Sequence, residues 1–306
     1  MESLIDFALL EKYAEVKKLN SKLETIKGIL DWNVFLKCFP DTISNRGRPA
    51  YDKILMIRCL FLQSWYSISD QELEFQIKDR LSFQQFLEYP ETIPDYSTIW
   101  RFREELCDGD IIEKIWAELQ NQINQKNLKI EKGTIQDARF IQADPGKTNS
   151  GQENRGREAQ TARSKDGTWT KKNNKSYFGF KLHIKTRRGS KIIEEVAVTT
   201  ASTFDNKIDL SNENDIIYRD KAYTGTPTNA IGNGSMKRGN LSIWEILRNK
   251  RISKKRCQGE HPFGTMNRSF SAGRTKLTTI PRVFVQQIFV CFAYNLHRLK
   301  FLLGTQ

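Results

Sequence analysis

The chain has 306 residues, 38% of them hydrophobic, enough to bury one large core or two unequal ones. Its formal charge of +13 is unevenly held: residues 1–130 carry 17 basic against 21 acidic side chains, and residues 131–306 carry 32 against 15. No run reaches the ~18 apolar residues of a membrane span, the first residues lack a signal-peptide pattern, and five scattered cysteines exclude a disulfide framework and a zinc knuckle.

Such a chain is expected in the cytoplasm, and the excess of Lys and Arg in its second half points to a polyanionic partner, because phosphate neutralisation dominates nonspecific nucleic-acid affinity. Residues 4–28 place Leu9, Tyr13, Val16, Leu19, Leu23 and Ile26 at intervals of three or four, which predicts an amphipathic helix packing a core or a dimer seam. Arg46-Gly47-Arg48-Pro49 is a basic turn before a helix predicted over 50–65. Ser67-Ile68-Ser69-Asp70 supplies caps for a second helix reaching about residue 80, and a third covers 82–89. After Pro90 and Pro94, Asp95-Tyr96-Ser97 caps a helix read as showing Ile99, Phe102 and Leu106 on one face and Arg101 and Arg103 on the other. Short capped helices fit a helix-turn-helix DNA reader, with Arg101 and Arg103 reaching base edges in the major groove, or an ordinary bundle equally well. The slight acidity of this half counts against strong independent DNA binding.

Strand patterning begins near Ile130, and Thr134-Ile135-Gln136-Asp137-Ala138-Arg139-Phe140-Ile141 predicts a strand that carries Asp137. Residues 144–175, almost without aliphatic side chains, predict a long loop. Residues 177–185 then alternate, with Phe178, Phe180, Leu182 and Ile184 facing one way and Gly179, Lys181, His183 and Lys185 the other. With a turn at 187–190 and a second strand over 192–200, they predict a hairpin with one wet, basic face. Ile216-Ile217-Tyr218-Arg219 predicts a strand ending on Asp220. Helical text at 243–249, a basic run at Arg256 followed by Glu260 on a helix, and an apolar helix over 282–303 complete the order.

Two strand-borne aspartates and a helix-borne glutamate in a basic half-chain suggest metal-assisted chemistry on nucleic acid, since Mg²⁺ takes hard oxygen ligands and often only one or two carboxylates. Asp144, before Pro145-Gly146, is a rival to Asp137 but reads as a turn cap. Asp205 reads as the cap of a following helix. His183, His261 and His297 show no zinc spacing. Lys171, Lys172, Lys175, Lys181 and Lys185 read as DNA backbone contacts. Arg256 touches DNA phosphate or orients Glu260, and Trp169 stacks on a splayed base or anchors its loop.

Several stretches, in this order, carry a family resemblance: Gly47-Arg48-Pro49, Ser69-Asp70-Gln71-Glu72-Leu73-Glu74, Asp79-Arg80-Leu81-Ser82-Phe83 and Pro94-Asp95-Tyr96-Ser97-Thr98-Ile99-Trp100-Arg101-Phe102-Arg103 in the first half. In the second half they are Gln136-Asp137-Ala138, Tyr177-Phe178-Gly179-Phe180-Lys181-Leu182-His183, Tyr218-Arg219-Asp220-Lys221-Ala222-Tyr223-Thr224-Gly225 and Gly259-Glu260-His261-Pro262-Phe263. Together they resemble the DDE transposases of bacterial and archaeal insertion sequences, of the insertion-sequence-five type, over roughly residues 31–302. The resemblance implies an α/β (α+β) ribonuclease-H-like catalytic domain at 129–306 behind an all-helical domain at 1–128 that recognises DNA ends or dimerises. It implies Asp137, Asp220 and Glu260 as catalytic and metal-binding residues, with Mg²⁺, replaceable by Mn²⁺, and Arg256 beside them.

The implied activity is binding of terminal inverted repeats, cleavage at the ends and transfer of the freed 3′-hydroxyls to target DNA. The implied partners are double-stranded DNA and further copies of the chain, in a homodimer or higher oligomer with no membrane. Two departures stand out: Ser253 and Asn267 occupy positions where relatives carry a tyrosine and a lysine that contact DNA ends. A nuclease of the same fold without strand transfer, or a transposase-derived DNA-binding protein that no longer cuts, are the alternatives.

Overall fold

The computed structural model describes residues 11–15, 18, 22–40, 50–126, 128, 131–146, 166–172 and 174–304, without the Lys172 side chain. The expected seam residues Leu9, Val16 and Leu19, the basic turn 46–49 and positions 147–165 of the expected loop lie outside the described residues. The chain forms two compact units, one of residues 1–126 with 296–306 and one of residues 127–295. Among the described residues, no helix is long and apolar enough to cross a membrane.

The first unit is helical: α1 (Lys22–Lys27), a 3-10 turn (Trp32–Cys38), α2 (Lys53–Tyr66), α3 (Asp70–Asp79), α4 (Leu81–Phe86), α5 (Tyr96–Cys107) and α6 (Ile111–Asn124). Short polar side chains meet the orphan N–H groups at three of the helix starts. Asp52 accepts from Ile54 and Leu55, Ser69 from Glu72 and Asp95 from Thr98, each cap worth roughly 1 kcal/mol. Helix α2 is buried without interruption from Ile54 to Leu62, the pattern of a central helix rather than an amphipathic one. Its Phe61 meets Trp32 edge-on at 5.6 Å and stacks on Phe86. Arg58 is buried in the same helix because Glu88 pairs with it at 3.0 Å and the Trp32 ring lies 5.6 Å from its guanidinium. The left-handed residues Glu88 and Tyr89 end α4 before the expected Tyr89.

Helix α5 corrects one expectation. Arg101 is exposed, but Arg103 is buried, and its guanidinium is bound by Asp70 and, at 3.0 Å, by Gln63. Positions two apart on a helix face away from one another, so the two arginines cannot share a polar face. Arg103 instead completes the inward stripe Ile99, Phe102, Arg103, Leu106, spaced as one helix face requires.

The second unit is a mixed sheet with helices: β1 (Thr134–Ala143), β2 (Thr168–Lys172), β3 (Lys175–Arg187), β4 (Ile193–Thr200), β5 (Ile216–Arg219), β6 (Gly232–Ser235), α7 (Ile243–Arg256), α8 (Glu260–Phe270), β7 (Arg274–Thr275) and α9 (Ile280–Leu303), whose last turns from Leu296 belong to the first unit. Strand β1 runs antiparallel to β3 on one side and parallel to β5 on the other; β6 continues parallel beyond β5, while β2 and β4 pair with β3 and β7 with β1. A helical region followed by this mixed sheet is consistent with a ribonuclease-H-like fold. Gly179 lets β3 close on β1: its φ is +151°, and a Cβ there would lie 2.0 Å from the Ile141 carbonyl oxygen.

Two further readings change. Part of the expected loop is strand β2, paired with β3 from Thr168 opposite Gly179 to Lys172 opposite Lys175, with Asn174 left-handed at the turn. The hairpin of β3 and β4 has no wet, basic face, because His183 and Lys185 are as buried as Phe180, Leu182 and Ile184. The Lys185 ammonium is tolerated inside because Asp215 lies 3.1 Å away, with Glu194 and Glu195 just below 4 Å.

Candidate active site

Strands β1 and β5 pair in parallel with Thr134 opposite Ile217 and Ile135 opposite Tyr218. The next residues along each strand are Gln136 and Arg219, and then Asp137 and Asp220. Arg219, with no exposed surface, donates from Nε to Gln136 Oε1 at 2.9 Å and from Nη2 to Asp209. Gln136 is equally buried; its Nε2 donates to the Ile208 carbonyl at 2.8 Å, and its Oε1 also receives the Leu210 N–H at 3.3 Å. The residue before each aspartate is thereby tied to the other strand and to the 208–210 segment.

Asp137 is held on both carboxylate oxygens. The Ala138 N–H donates to one at 3.0 Å, and Arg256 Nη2 donates to the other at 3.2 Å. Burial pushes its carboxyl above the usual carboxylate range; the nearby Asp220 adds to that, and Arg256 and the Ala138 N–H oppose it. Asp220 caps a 3-10 turn (Lys221–Tyr223) by accepting the Ala222 N–H at 2.7 Å. Tyr223 on that turn is buried, its phenol is pushed up by burial and then by Asp205, Asp137 and Asp220, and its oxygen has no hydrogen-bond partner among the described residues.

Glu260 reaches this neighbourhood through two helices. Helix α7 docks by Ile252 against Ile135 and Tyr218, two positions before the aspartates, and ends at Arg256. A 3-10 turn (Cys257–Gly259) follows, and Glu260 begins α8, exposed. Gly259 allows the approach: a Cβ there would come within 2.6 Å of the Ile135 side chain. Gln258 fixes the same turn by accepting the Gly189 N–H at 2.9 Å. Among the described residues, no group of three or more His, Cys, Asp or Glu side chains is gathered as for a metal ion. The two aspartates are close, but Glu260 does not join them in one cluster.

This geometry is one aspartate on β1 and one just past the end of the adjoining parallel strand β5, followed by a helix that begins with glutamate. Residues 129–296, more than half the chain, match the family model described as "Transposase DDE domain", and residues 11–105 match "Transposase domain (DUF772)". The chain belongs to the DDE transposases of insertion sequences. No solved structure matches this transposase significantly.

The basic residues expected to touch DNA separate into two groups in the transposase. Arg101, Lys171 and Lys175 are exposed, and the Lys172 side chain lies outside the described residues. Lys181 is engaged internally, donating to the Thr203 carbonyl at 2.7 Å and to Asp205 at 2.9 Å, and Lys185 is enclosed as described above. Asp205 opens a 3-10 turn (Asp205–Lys207) without capping it and serves as the Lys181 partner instead. Asp144 receives the Gly146 N–H at 2.9 Å, the turn role expected for it. Trp169 is half-buried in β2 and packs 5.2 Å from the Phe178 ring, an anchoring contact. Gln136 and Arg219 escaped the sequence reading. Their signal is position, since each directly precedes an aspartate, at the end of β5 in one case and inside β1 in the other.

His183 gives the transposase an acid sensitivity. Its Nε2 meets Thr199 Oγ1 at 2.9 Å, while Nδ1 is buried without a partner among the described residues. Burial lowers its pKa to about 4, with Lys181 lowering it further and Asp205 opposing. The folded value lies below the ordinary one of about 6.5, so the unfolded chain takes up a proton that the folded chain refuses. Stability is therefore present above about pH 6.5 and is lost as pH falls towards 4, by about 3 kcal/mol when complete. Urea unfolding at pH 7 and pH 4.5 should show His183→Gln losing clearly less stability on acidification than the native chain; equal losses would remove His183 from the acid response.

Proposed function

We propose that this transposase, of the insertion-sequence-five type, binds the terminal inverted repeats of its element, cuts at the ends and joins the freed 3′-hydroxyls to target DNA. The observation that carries this reading is the side-by-side setting of Asp137 and Asp220, with Asp137 buried enough to disfavour its own charge. Two adjacent carboxylates in a partly dry site call for a cation, and their hard oxygens suit Mg²⁺ or Mn²⁺. Asp137 and Asp220 would hold the ions, and Glu260 would complete the ligand set. When bound, divalent ions activate the attacking oxygen and relieve charge on the leaving one.

The chain's own groups have separate tasks. Arg256 neutralises Asp137 in the structure described here, and it takes a DNA phosphate when the carboxylate turns to metal. The buried Gln136–Arg219–Asp209 network holds both aspartates in register, so their positions do not depend on the DNA. The helical unit reads the ends, in the manner of a helix-turn-helix element, with Arg101 beside the exposed Tyr96 and Trp100 of α5 as its contact side chains. Lys171, Lys172 and Lys175 on the β2–β3 hairpin lie along the DNA backbone. Two copies of the chain, one per end, form the working complex.

Purified protein incubated with a duplex carrying the element's end should nick it at the element boundary with Mg²⁺ or Mn²⁺ and join the end to a second DNA. Cutting should stop in EDTA. Boundary nicking that never yields a joined product would leave a nuclease of the same fold, and metal-dependent cutting absent at every DNA concentration would leave a binding protein.

A further inference from the structure

Helix α7 has two dissimilar sides. Glu245, Arg248, Asn249, Ile252 and Arg256 face the sheet: Arg248 donates to the Ser235 and Asn233 carbonyls at 2.8 and 3.0 Å, Asn249 exchanges hydrogen bonds with the Lys237 backbone, and Ile252 is buried on Ile135 and Tyr218. The opposite side carries the exposed apolar side chains Ile243, Trp244, Ile246 and Leu247 in its first turns and, in its last two, Lys250, Arg251 and Lys254, all exposed and without a side-chain hydrogen-bond or ion-pair partner among the described residues. The one acid of the helix, Glu245, is occupied by its capping box with Ser242 and by Lys237 at 2.8 Å.

This cationic side does not serve the fold. Like charges one helical turn apart, as at Lys250 and Lys254, cost a few tenths of a kcal/mol. The helix dipole rewards cations only in the last turn, which leaves Lys250 and Arg251 uncompensated. The stripe is rigidly mounted, since the other side of α7 is pinned to β5 and β6. It also leads to Arg256 and so to Asp137. Lys250 and Lys254 are about 6 Å apart along the helix axis, close to two nucleotide rises of about 3.4 Å each on one strand.

We propose that Lys250, Arg251 and Lys254 form a phosphodiester-backbone binding site that lays duplex DNA along α7 and leads a strand to the Asp137–Asp220 pair. The contact is sequence-independent and rests on the reading of the chain as a DNA-cutting transposase. It differs from the contacts inferred for the β2–β3 hairpin, and it supplies cations that Lys181 and Lys185, held inside the fold, do not.

The test is a salt titration of full-length protein binding a short duplex of arbitrary sequence. Each lost phosphate contact lowers the slope of log affinity against log salt by about 0.9. The triple variant Lys250→Gln, Arg251→Gln, Lys254→Gln should therefore lose between two and three units of slope, with unchanged thermal unfolding because all three side chains are exposed. A control triple on the helical unit, Lys37→Gln, Lys78→Gln, Lys114→Gln, removes the same charge and should change the slope by less than about one unit. An unchanged slope in the α7 triple, or an equal loss in the control, overturns the site. If the native chain still cuts its ends in that case, the transposase reading stands without the site. A native chain that binds no duplex even at low salt overturns both.

Discussion

Asp137→Asn, Asp220→Asn and Glu260→Gln should each reduce end cleavage on the order of a thousandfold or more, which corresponds to at least about 4 kcal/mol of lost transition-state stabilisation. Each substitution keeps the size of the side chain and removes the charge that would hold a divalent ion, so DNA binding should survive. Asp137→Asn carries a second signature. Because the folded chain disfavours the Asp137 carboxylate, the neutral amide should leave thermal stability unchanged or higher while activity disappears, a trade between stability and function. Asp144→Asn should retain most of the cleavage. Gel-resolved nicking of a labelled end, beside thermal unfolding of the same preparations, reads all four variants. A Glu260→Gln protein that cuts at the native rate would remove Glu260 from the mechanism, and an active Asp137→Asn beside a dead Asp144→Asn would reassign the first acid.

The next largest effect should come from Arg219→Met. The guanidinium is fully enclosed and binds Gln136 and Asp209 at once. Methionine fills much of the same volume but removes the charged donor, leaving Gln136 Oε1 with the Leu210 N–H and Asp209 with the Ser211 and Asn229 donors. Because Asp209 is part-exposed and keeps other donors, the loss should be about 1–3 kcal/mol, still a noticeable share of the 5–15 kcal/mol that holds an ordinary domain folded. Arg219→Lys should recover only part of this, because an ammonium is a point donor and cannot span both partners as the planar fork does. Denaturant midpoints of the three proteins measure the effect. A loss under about 1 kcal/mol in the methionine variant would mean that the sheet register holds without the network.

Much of this architecture was legible in the sequence because it rests on local chemistry. Ser69 and Asp95 announced helix starts through their short acceptors, and the alternation from Phe178 to Ile184 announced β3. The misreadings share one cause: a periodic pattern shows which side chains share a face, not what covers that face. Lys185 falls on the polar phase of β3, which by itself reads as wet, yet Asp215, Glu194 and Glu195 enclose it. Strand β2 was missed because its ladder is made of backbone groups, and only Trp169 gives it an apolar anchor. Of the candidate site, the family resemblance proposes Asp137, Asp220 and Glu260, with Arg256 lying four residues before Glu260. The pairing of Arg256 with Asp137, 119 positions away in the chain, has no local signal. Nor does the Gln136–Arg219 bond, which arises only when two strands meet in one particular register.

The division of the chain also bears on how the molecule is made. The helical unit includes residues 296–306, and Trp65 of α2 meets His297 with ring centroids 6.0 Å apart. During synthesis, residues 1–126 therefore leave the ribosome without part of their own unit, and the whole sheet unit is translated before that part arrives. Because domains ordinarily fold from the N-terminus as they emerge, the helical unit must wait in an unfinished state or fold last. A polypeptide interrupted between Glu260 and Leu296 would carry every acid of the candidate site and still lack the closing segment of its first unit.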